Sequence, residues 1–537
     1  MAQKRKYPVG IQSFESIRMD GYIYVDKTPL IYKMITEGKP YFLSRPRRFG
    51  KSLLVDTLGA VFEGRRELFE AFTTEQGIEQ PQLFIATTDW KWEKYPVLRF
   101  DFSKSNLTSL ERLDEFIDYT LTGYEQEYGV PPSTASTSLR MTKIIHAAER
   151  KMGKKVVVLV DEYDNMMLHN LGDAEMQAII RDRFQDLFMP LKGEDSHLQF
   201  IFITGISKFS QMGIFSRINQ LNNISMVAAF EAICGITEEE LTTVLQPDIA
   251  LMAEEQELDY DSMLSRLKAN YDGYHFGRGK TDMYNPFSLF KAFRNAEVAD
   301  YWFESGTTQA LIDMLSQMPP VELTDIEDVR CPASAFDMPF ESYDQPLPIL
   351  YQSGYLTVRR YLPDRNMFVL GTPNDEVRRG FADCLFQLIS KMRPGDSSRN
   401  VFLDAYYDFR DFDDLPAFIQ AIKAFYAGVP YQWERDNKNE HYYHALLYTL
   451  LVAFGADVRA EEPTAKGCSD ITLKMPRGIY VMELKYNDTA DAALAQIESK
   501  GYADKYALDG RPVTKVGIAF SSEERNITDW RSEPKVA

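Results

Sequence analysis

Tyr41-Phe-Leu-Ser-Arg-Pro-Arg-Arg-Phe-Gly-Lys-Ser-Leu-Leu54 runs from a short apolar strand through a basic turn into an apolar-periodic segment. Its Gly50-Lys51-Ser52 is the second half of GxxxxGK[ST], the pattern of a phosphate-binding loop. Gly50 lets the backbone approach a phosphate, Lys51 reaches the β- and γ-oxygens, and the Ser52 hydroxyl can ligate Mg²⁺. The helix that opens there through Leu53 aims its amide dipoles at the anion. The first glycine of the pattern is replaced by Arg45, followed by Pro46, Arg47 and Arg48. Guanidinium groups hold phosphate in bidentate fashion, so these arginines are expected to supply charge where a glycine supplies backbone freedom. Arg45, Arg47, Arg48, Phe49, Gly50, Lys51, Ser52 and Leu53 are thus the expected nucleotide contacts. The competing reading is a solvated basic turn in front of a helix.

A second stretch favours the nucleotide. Lys154-Lys-Val-Val-Val-Leu-Val-Asp-Glu-Tyr-Asp164 is a β-branched run ending in Asp161-Glu162, the way a buried parallel strand delivers carboxylates to its C-terminal end. In a nucleoside triphosphatase such an Asp holds the Mg²⁺ shell and the next Glu polarises the attacking water. Leu198-Gln-Phe-Ile-Phe-Ile-Thr204-Gly-Ile-Ser207-Lys208 reads as a third strand. Thr204 and Ser207 are candidates to sense a γ-phosphate, with Lys208 and Arg217 as charge partners, although a hydroxyl at a strand end is also an ordinary cap. Tyr95-Pro-Val-Leu-Arg-Phe-Asp101 adds a strand and Ser109 to Tyr128 an amphipathic helix, so strands alternate with helices as in a covered parallel sheet. Upstream, Gly21-Tyr-Ile-Tyr-Val-Asp26-Lys27-Thr28 is a short strand with a helix cap at Asp26 or Thr28, placed where it could approach an adenine.

At 537 residues the chain is too long for one core. No apolar run reaches membrane-spanning length and the N-terminal residues lead into no hydrophobic region, so neither a membrane span nor a signal peptide is expected, and the reading is cytoplasmic. Cys234, Cys331, Cys384 and Cys468 have neither disulfide nor zinc spacing, which suits a reducing compartment. A net charge of −19 argues against a general nucleic-acid coat, yet residues 1–60 hold eleven Lys/Arg against five Asp/Glu, a basic island around the loop.

After about residue 235 the pattern turns helical. Ile236-Thr237-Glu-Glu-Glu240 has the form of a helix start, as expected of a small helical lid. Leu350 to Val358 with Phe368-Val-Leu-Gly371 suggests a hairpin after a helix, as in a winged-helix connector; aromatic packing in an ordinary helical domain is the other reading. Residues 381–426 are amphipathic and helical.

The last hundred or so residues carry a different constellation. Glu440 begins a helix with His441 and His444; Gly467 to Met475 is a strand bearing Asp470; and Ile479-Tyr-Val-Met-Glu483-Leu-Lys485 returns after the Pro476-Arg-Gly478 turn. Glu483 and Lys485 share one face of the strand, and hairpin pairing can bring Asp470 beside them. Two carboxylates and a lysine at a sheet edge can hold divalent ions and orient water against a phosphodiester. Gln496 follows on a helix leading to a basic and aromatic stretch at Lys500, Tyr502, Lys505 and Tyr506. The alternative is a salt-bridged strand, and the two histidines lack the companions of a zinc set.

Together these residues resemble the AAA-ATPase-like proteins of bacteria, joined to a C-terminal domain of the PD-(D/E)xK nuclease superfamily. The carriers are Arg45 to Ser52, Val160 to Asp164, Thr204 to Lys208, Tyr284-Asn-Pro-Phe-Ser288, Ser469-Asp470 and Glu483-Leu-Lys485. The resemblance implies ATP and Mg²⁺ at Lys51, Ser52, Asp161 and Glu162. It implies a nuclease triad of Asp470, Glu483 and Lys485, taking Mg²⁺ or Mn²⁺, with Gln496 as the additional position and Glu440 as the first-helix acid. Ser469 stands where the superfamily usually has proline.

The expected architecture is α/β. A P-loop NTPase sheet occupies 1–235, a helical lid 236–300, a helical or winged-helix-like connector 301–425, and an α/β/α restriction-endonuclease-like domain 426–537. The expected function is an ATPase coupled to a Mg²⁺-dependent nuclease acting on DNA or RNA. The alternatives are a nucleotide-dependent switch or scaffold that binds nucleic acid or protein without cleaving, and ATP held structurally. A homo-oligomer fits, since phosphate-loop ATPases often complete their site with a neighbour's arginine.

Overall fold

The computed structural model describes residues 4–103, 109–170, 173–206, 221–279, 281–305, 329–332, 347–390, 397–429, 440–464 and 466–534. They fall into two compact units, one of residues up to Ser305 with 329–376, the other from Val377 onward.

The first unit is built on strands β1 (Pro40–Ser44), β2 (Val97–Asp101), β3 (Val156–Asp161), β4 (Leu198–Gly205) and β5 (Asn222–Asn223). They pair in the order β2-β3-β4-β1-β5, every neighbour parallel. All residues of β3 are buried, as the unbroken Val/Leu run predicts for a strand covered on both faces. Helix α1 (Lys51–Phe62) follows β1, while α2 (Leu110–Tyr128) and α3 (Thr137–Met152) join β2 to β3. Because β4 lies between β1 and β3, the exit of the third strand stands between the basic loop and the acidic strand end.

The stretch expected as a lid holds α4 (Glu238–Val244), α5 (Gln246–Glu255), α6 (Tyr260–Tyr271) and α7 (Pro286–Asn295). Thr237 and Glu240 form a complete capping box at the start of α4, the geometry their spacing predicts. Leu241, Leu245, Ile249, Met252, Met263, Leu267, Leu289 and Phe293 close a core against Tyr7 and Val25, so the N-terminal segment is packed into the lid. A short helix, Leu347–Ser353, precedes the antiparallel strands β7 (Thr357–Leu362) and β8 (Met367–Gly371), and β6 (Val329–Pro332) pairs with β8. A helix thus precedes this hairpin.

The second unit takes up α8 (Asp375–Ser390) from Val377, and α9 (Ser397–Phe412) and α10 (Leu415–Gly428) lead to α11 (Glu440–Ala453). A five-stranded sheet follows: β9 (Asp457–Thr464), β10 (Gly467–Lys474), β11 (Ile479–Tyr486), β12 (Val513–Ser521) and β13 (Asn526–Pro534), paired in chain order. Only β11 and β12 run parallel, and their crossover helix α12 (Ala490–Lys500) packs on both. No helix among the described residues is long and apolar enough to cross a membrane.

Candidate functional site

Each unit holds one acidic centre. In the first, the chain leaves β1 at Ser44 and enters α1 at Lys51. Two residues of the turn, Arg48 and Gly50, take positive φ of 66° and 90°. A Cβ at Gly50 would meet nothing, so the left-handed backbone, not crowding, requires glycine there. Lys51 is buried, and its Nζ donates to the carbonyls of Arg45 and Pro46 at 3.0 Å each, holding the ammonium inside the turn.

Arg45 differs from the expectation. Its side chain is buried, donating to the carbonyls of Ser44 and Ser225 at 3.0 and 2.7 Å and of Phe230 and Glu231 at 3.3 and 3.4 Å, with its guanidinium 4.2 Å from the Phe276 ring centre. It pins the chain after β5 to the loop and is not disposed as a phosphate ligand. The hydrogen-bonding power of guanidinium is used on carbonyls that would otherwise be buried unpaired. Arg45→Met is therefore expected to lower stability by about 2–4 kcal/mol, read by denaturant unfolding, with ATP affinity of the folded protein little changed. Lost affinity at unchanged stability would return Arg45 to the phosphate set. Arg48 sits 3.8 Å over the Phe287 ring, where α7 starts, and burial lowers its pKa, with Arg47 adding repulsion. Phe49 is buried edge-on against Tyr274 and Phe276.

At the end of β3, Asp161 is buried and its Oδ1 has no hydrogen-bond partner among the described residues. Burial pushes its carboxyl up to about 7; the nearby Ser52 hydroxyl opposes this, the Glu162 charge adds to it, and Lys51 pulls it back. Glu162 occupies the left-handed region at φ 50°, a costly conformation for a side chain of its size and one that clusters at functional sites. Asp164 is buried and accepts from the Ile206 amide at 3.0 Å, tying the exit of β4 to the acidic motif. Gly205 beside it has no room for a Cβ, which would run into the Asp164 carboxylate. Thr204 corrects another expectation: it is buried and its hydroxyl donates to the Leu43 carbonyl at 2.8 Å, so it braces β4 against β1. Ser207, Lys208 and Arg217 lie outside the described residues.

Next to the loop lies a small apolar cavity of about 80 Å³, partly open to solvent, with Tyr24, Val25, Lys27, Gly50, Leu53 and Phe290 among its walls. Asp26 caps the following helix from one residue upstream, accepting from the Thr28 amide at 2.8 Å. Lys27 is ion-paired with Glu240 of the lid at 2.6 Å.

The second centre is on β10, β11 and α12. Glu483 is almost wholly buried; Lys485 Nζ donates to its Oε1 at 3.2 Å and Gln496 Nε2 bonds the same oxygen. Asp470 Oδ2 accepts from the Leu484 amide at 2.7 Å, and the Asp470 amide stands 3.5 Å from Glu483 Oε2. Asp470, Glu483, Lys485 and Gln496 thus converge, because β10 and β11 pair as a hairpin and α12, the crossover to β12, packs on β11. Burial first, then the Asp470 charge, pushes the Glu483 carboxyl up to about 7, with Lys485 opposing. Asp470 is likewise raised by burial, against the Leu484 amide, His444 and Lys485. His444 Nε2 donates to the Asp470 carbonyl at 2.7 Å, so it anchors the strand. The Glu440 side chain lies outside the described residues. Tyr502 was legible only as part of an aromatic surface; it is buried, and its hydroxyl sits 3.3 Å from Gln496 Nε2. Lys505 pairs with Glu462 at 2.8 Å.

The family described as predicted AAA-ATPase matches residues 8–215, and the PD-(D/E)XK nuclease superfamily matches 438–530. A full-length relative, the "Uncharacterized protein in vnfD 5'region" of Azotobacter chroococcum mcd 1, is 34% identical over 540 residues, covering 98% of each chain. The chain belongs to the AAA-ATPase-like family. It carries a PD-(D/E)XK nuclease domain at its C-terminal end. Domains of these two kinds generally use ATP and divalent metal ions, and a nuclease-like domain points to nucleic acid.

The residues present suit such ions. A buried carboxylate oxygen on Asp161 with no partner among the described residues, and the buried Glu483 and half-buried Asp470 carboxyls, both of whose pKa values rise, are groups that a divalent cation would satisfy. A pH dependence follows. Asp161 and Glu483 titrate near 7 when folded and near their ordinary carboxyl values when unfolded. Between these values the folded chain binds more protons, so metal-free stability falls as pH rises through this window. Because a cation binds only the ionised carboxylates, the stabilisation added by Mg²⁺ should grow from pH 5 to pH 8. Glu376 and Asp272, raised by burial to about 8 and about 6, titrate in the same range, so the Mg²⁺ increment is the quantity to read. Equal increments at pH 5 and pH 8, in denaturant unfolding, would rule this out.

Proposed function

We propose that the chain is an ATPase that controls Mg²⁺-dependent cleavage of DNA or RNA phosphodiesters. The observation that carries the proposal is the convergence of Asp470, Glu483 and Lys485 on the adjacent strands β10 and β11 with Gln496 of α12. In this reading Asp470 and Glu483 hold the metal, Lys485 orients the hydrolytic water or neutralises developing charge, and Gln496, held by Tyr502, keeps Glu483 in place. Glu440 is the expected additional acid. In the ATPase unit Arg47, Arg48, Lys51 and the amides at the start of α1 receive the phosphates, while Ser52 and Asp161 hold Mg²⁺. Glu162 polarises water and Ser207 senses the γ-phosphate. The cavity between Tyr24, Val25 and Leu53 receives the adenine. Lys27 and Glu240 then give the lid a charged link to the base pocket.

A second reading rests on charge. Residues 431–537 hold fourteen Lys/Arg against seventeen Asp/Glu, no footprint for a phosphate backbone. In that reading the nuclease fold binds a partner without cutting, and ATP sets a switch. Single- and double-stranded DNA and RNA, incubated with Mg²⁺ or Mn²⁺ with and without ATP, separate the two. Cleavage that vanishes in Lys485→Ala and changes in Lys51→Ala supports the ATP-controlled nuclease. Intact ATP turnover without cleavage under any condition supports the switch.

A further inference from the structure

We propose that His146, Glu194 and His197 form a binding site for a zinc-like divalent ion, separate from both acidic centres. His146 lies on α3, three residues before Glu149, and Glu194 lies three residues before His197 in the turn that enters β4. Two of the six histidines of this chain thus meet across that boundary, each with a carboxylate one helical turn away. One donor atom from each of His146, Glu194 and His197 lies within 4.8 Å of the other two. His146 Nε2 is 2.6 Å from Glu194 Oε2, His197 Nε2 is 3.9 Å from the same oxygen, and the two ring centres are 4.5 Å apart.

The fourth residue decides between a metal site and a pair of salt bridges. Glu149 holds the other nitrogen of His197, Nδ1. Nδ1 then carries the proton and donates to Glu149, which leaves the Nε2 lone pair facing Glu194 and His146. That is the arrangement in which a second carboxylate orients a metal-bound imidazole and raises its basicity. A proton on His146 Nε2 is the stand-in for the ion, which displaces it and binds between Nε2 and Glu194. Tetrahedral zinc with nitrogen at about 2.0–2.1 Å sets its ligands a little over 3 Å apart, so the rings need move only about 1 Å. Two imidazoles and one carboxylate suit zinc and its transition-metal neighbours and not Mg²⁺, which takes oxygen.

The ion has a way in. His146 is half-exposed and also lines an open surface groove with Tyr128, Lys143 and Arg150. The cluster lies at the N-terminal end of β4, whereas the phosphate loop meets its C-terminal end, Ser44 beside Gly205. At about 3.3 Å per residue the length of β4 separates the two by roughly 25 Å. Zinc here joins α3 to the entry of β4 and braces the sheet without touching the nucleotide.

Chelator-treated full-length protein, titrated with Zn²⁺ in saturating Mg²⁺ so that the oxygen-only sites are filled, tests this directly. One tight Zn²⁺ per chain is expected, lost in His146→Ala/His197→Ala. Glu149→Gln should keep the ion but weaken it about tenfold to a hundredfold. Co²⁺ should develop visible ligand-field bands in wild type and not in the double variant. Cys468, an exposed free thiol, is the competing ligand, so Cys468→Ser should bind Zn²⁺ as wild type does. The proposal falls if wild type binds no tight Zn²⁺, if the histidine variant binds it equally, or if Cys468→Ser alone abolishes binding. Should the double variant misfold, Glu149→Gln decides: unchanged affinity rejects the site.

Discussion

Glu483→Gln should abolish phosphodiester cleavage while leaving ATP turnover in place. The substitution keeps the shape of the side chain and removes one negative charge from a buried pair. Glu483 Oε1 is held by Lys485 and Gln496, and its neighbour across the hairpin is Asp470. In the proposed site this carboxylate holds the cation that stabilises charge on the transferring phosphate, a term worth several kcal/mol. Four kcal/mol corresponds to about a thousandfold in rate, so the loss should reach at least that size. A glutamine also presents a donor where Gln496 already donates, so one oxygen loses its acceptor role. Stability should change little by comparison, because the variant removes a costly buried charge as well as its bonds. Nuclease assays beside ATPase assays on the same preparation read both effects. Cleavage within tenfold of wild type would exclude Glu483 from the chemistry; parallel loss of ATPase activity would point to damage to the fold.

Some of this was legible in the sequence and some was not, for physical reasons. Buried parallel strands announce themselves as β-branched runs, so β3 and β4 were readable, and the acids after Thr237 marked the start of α4. The second centre was readable because strand alternation and a tight hairpin leave few ways to arrange Asp470, Glu483 and Lys485. Arg45 was misread. Charge in a phosphate-loop pattern suggests an anion, but only the fold reveals that three carbonyls after β5 take that guanidinium. Thr204 was misread similarly, since a hydroxyl at a strand end looks the same whether it faces a ligand or the next strand's carbonyl. The His146 cluster was invisible because its halves are nearly fifty residues apart and neither carries a metal motif.

Asp161→Asn is expected to separate stability from activity with opposite signs. Asp161 is a buried carboxyl whose Oδ1 has no partner among the described residues, pushed up to about 7 chiefly by burial, with Glu162 next to it. Above that pH the metal-free protein carries a poorly compensated charge in its core, which asparagine removes. The variant should therefore unfold at the same or higher denaturant concentration than wild type at pH 8 without nucleotide. Addition of Mg²⁺ and ATP should reverse the order, because the ionised carboxylate is what the cation stabilises. Hydrolysis should fall by about a thousandfold, the size expected for several kcal/mol of lost charge stabilisation. A purely structural Asp161 makes a different pattern: the variant would be less stable under every condition, and its remaining folded fraction would hydrolyse ATP normally. Unfolding curves at pH 8 with and without Mg²⁺-ATP, with turnover measured on folded protein, distinguish the two. The higher stability of an inactive variant would mean that this strand end is held in a strained, charged state for its chemistry, at a cost in stability that only ligand binding offsets.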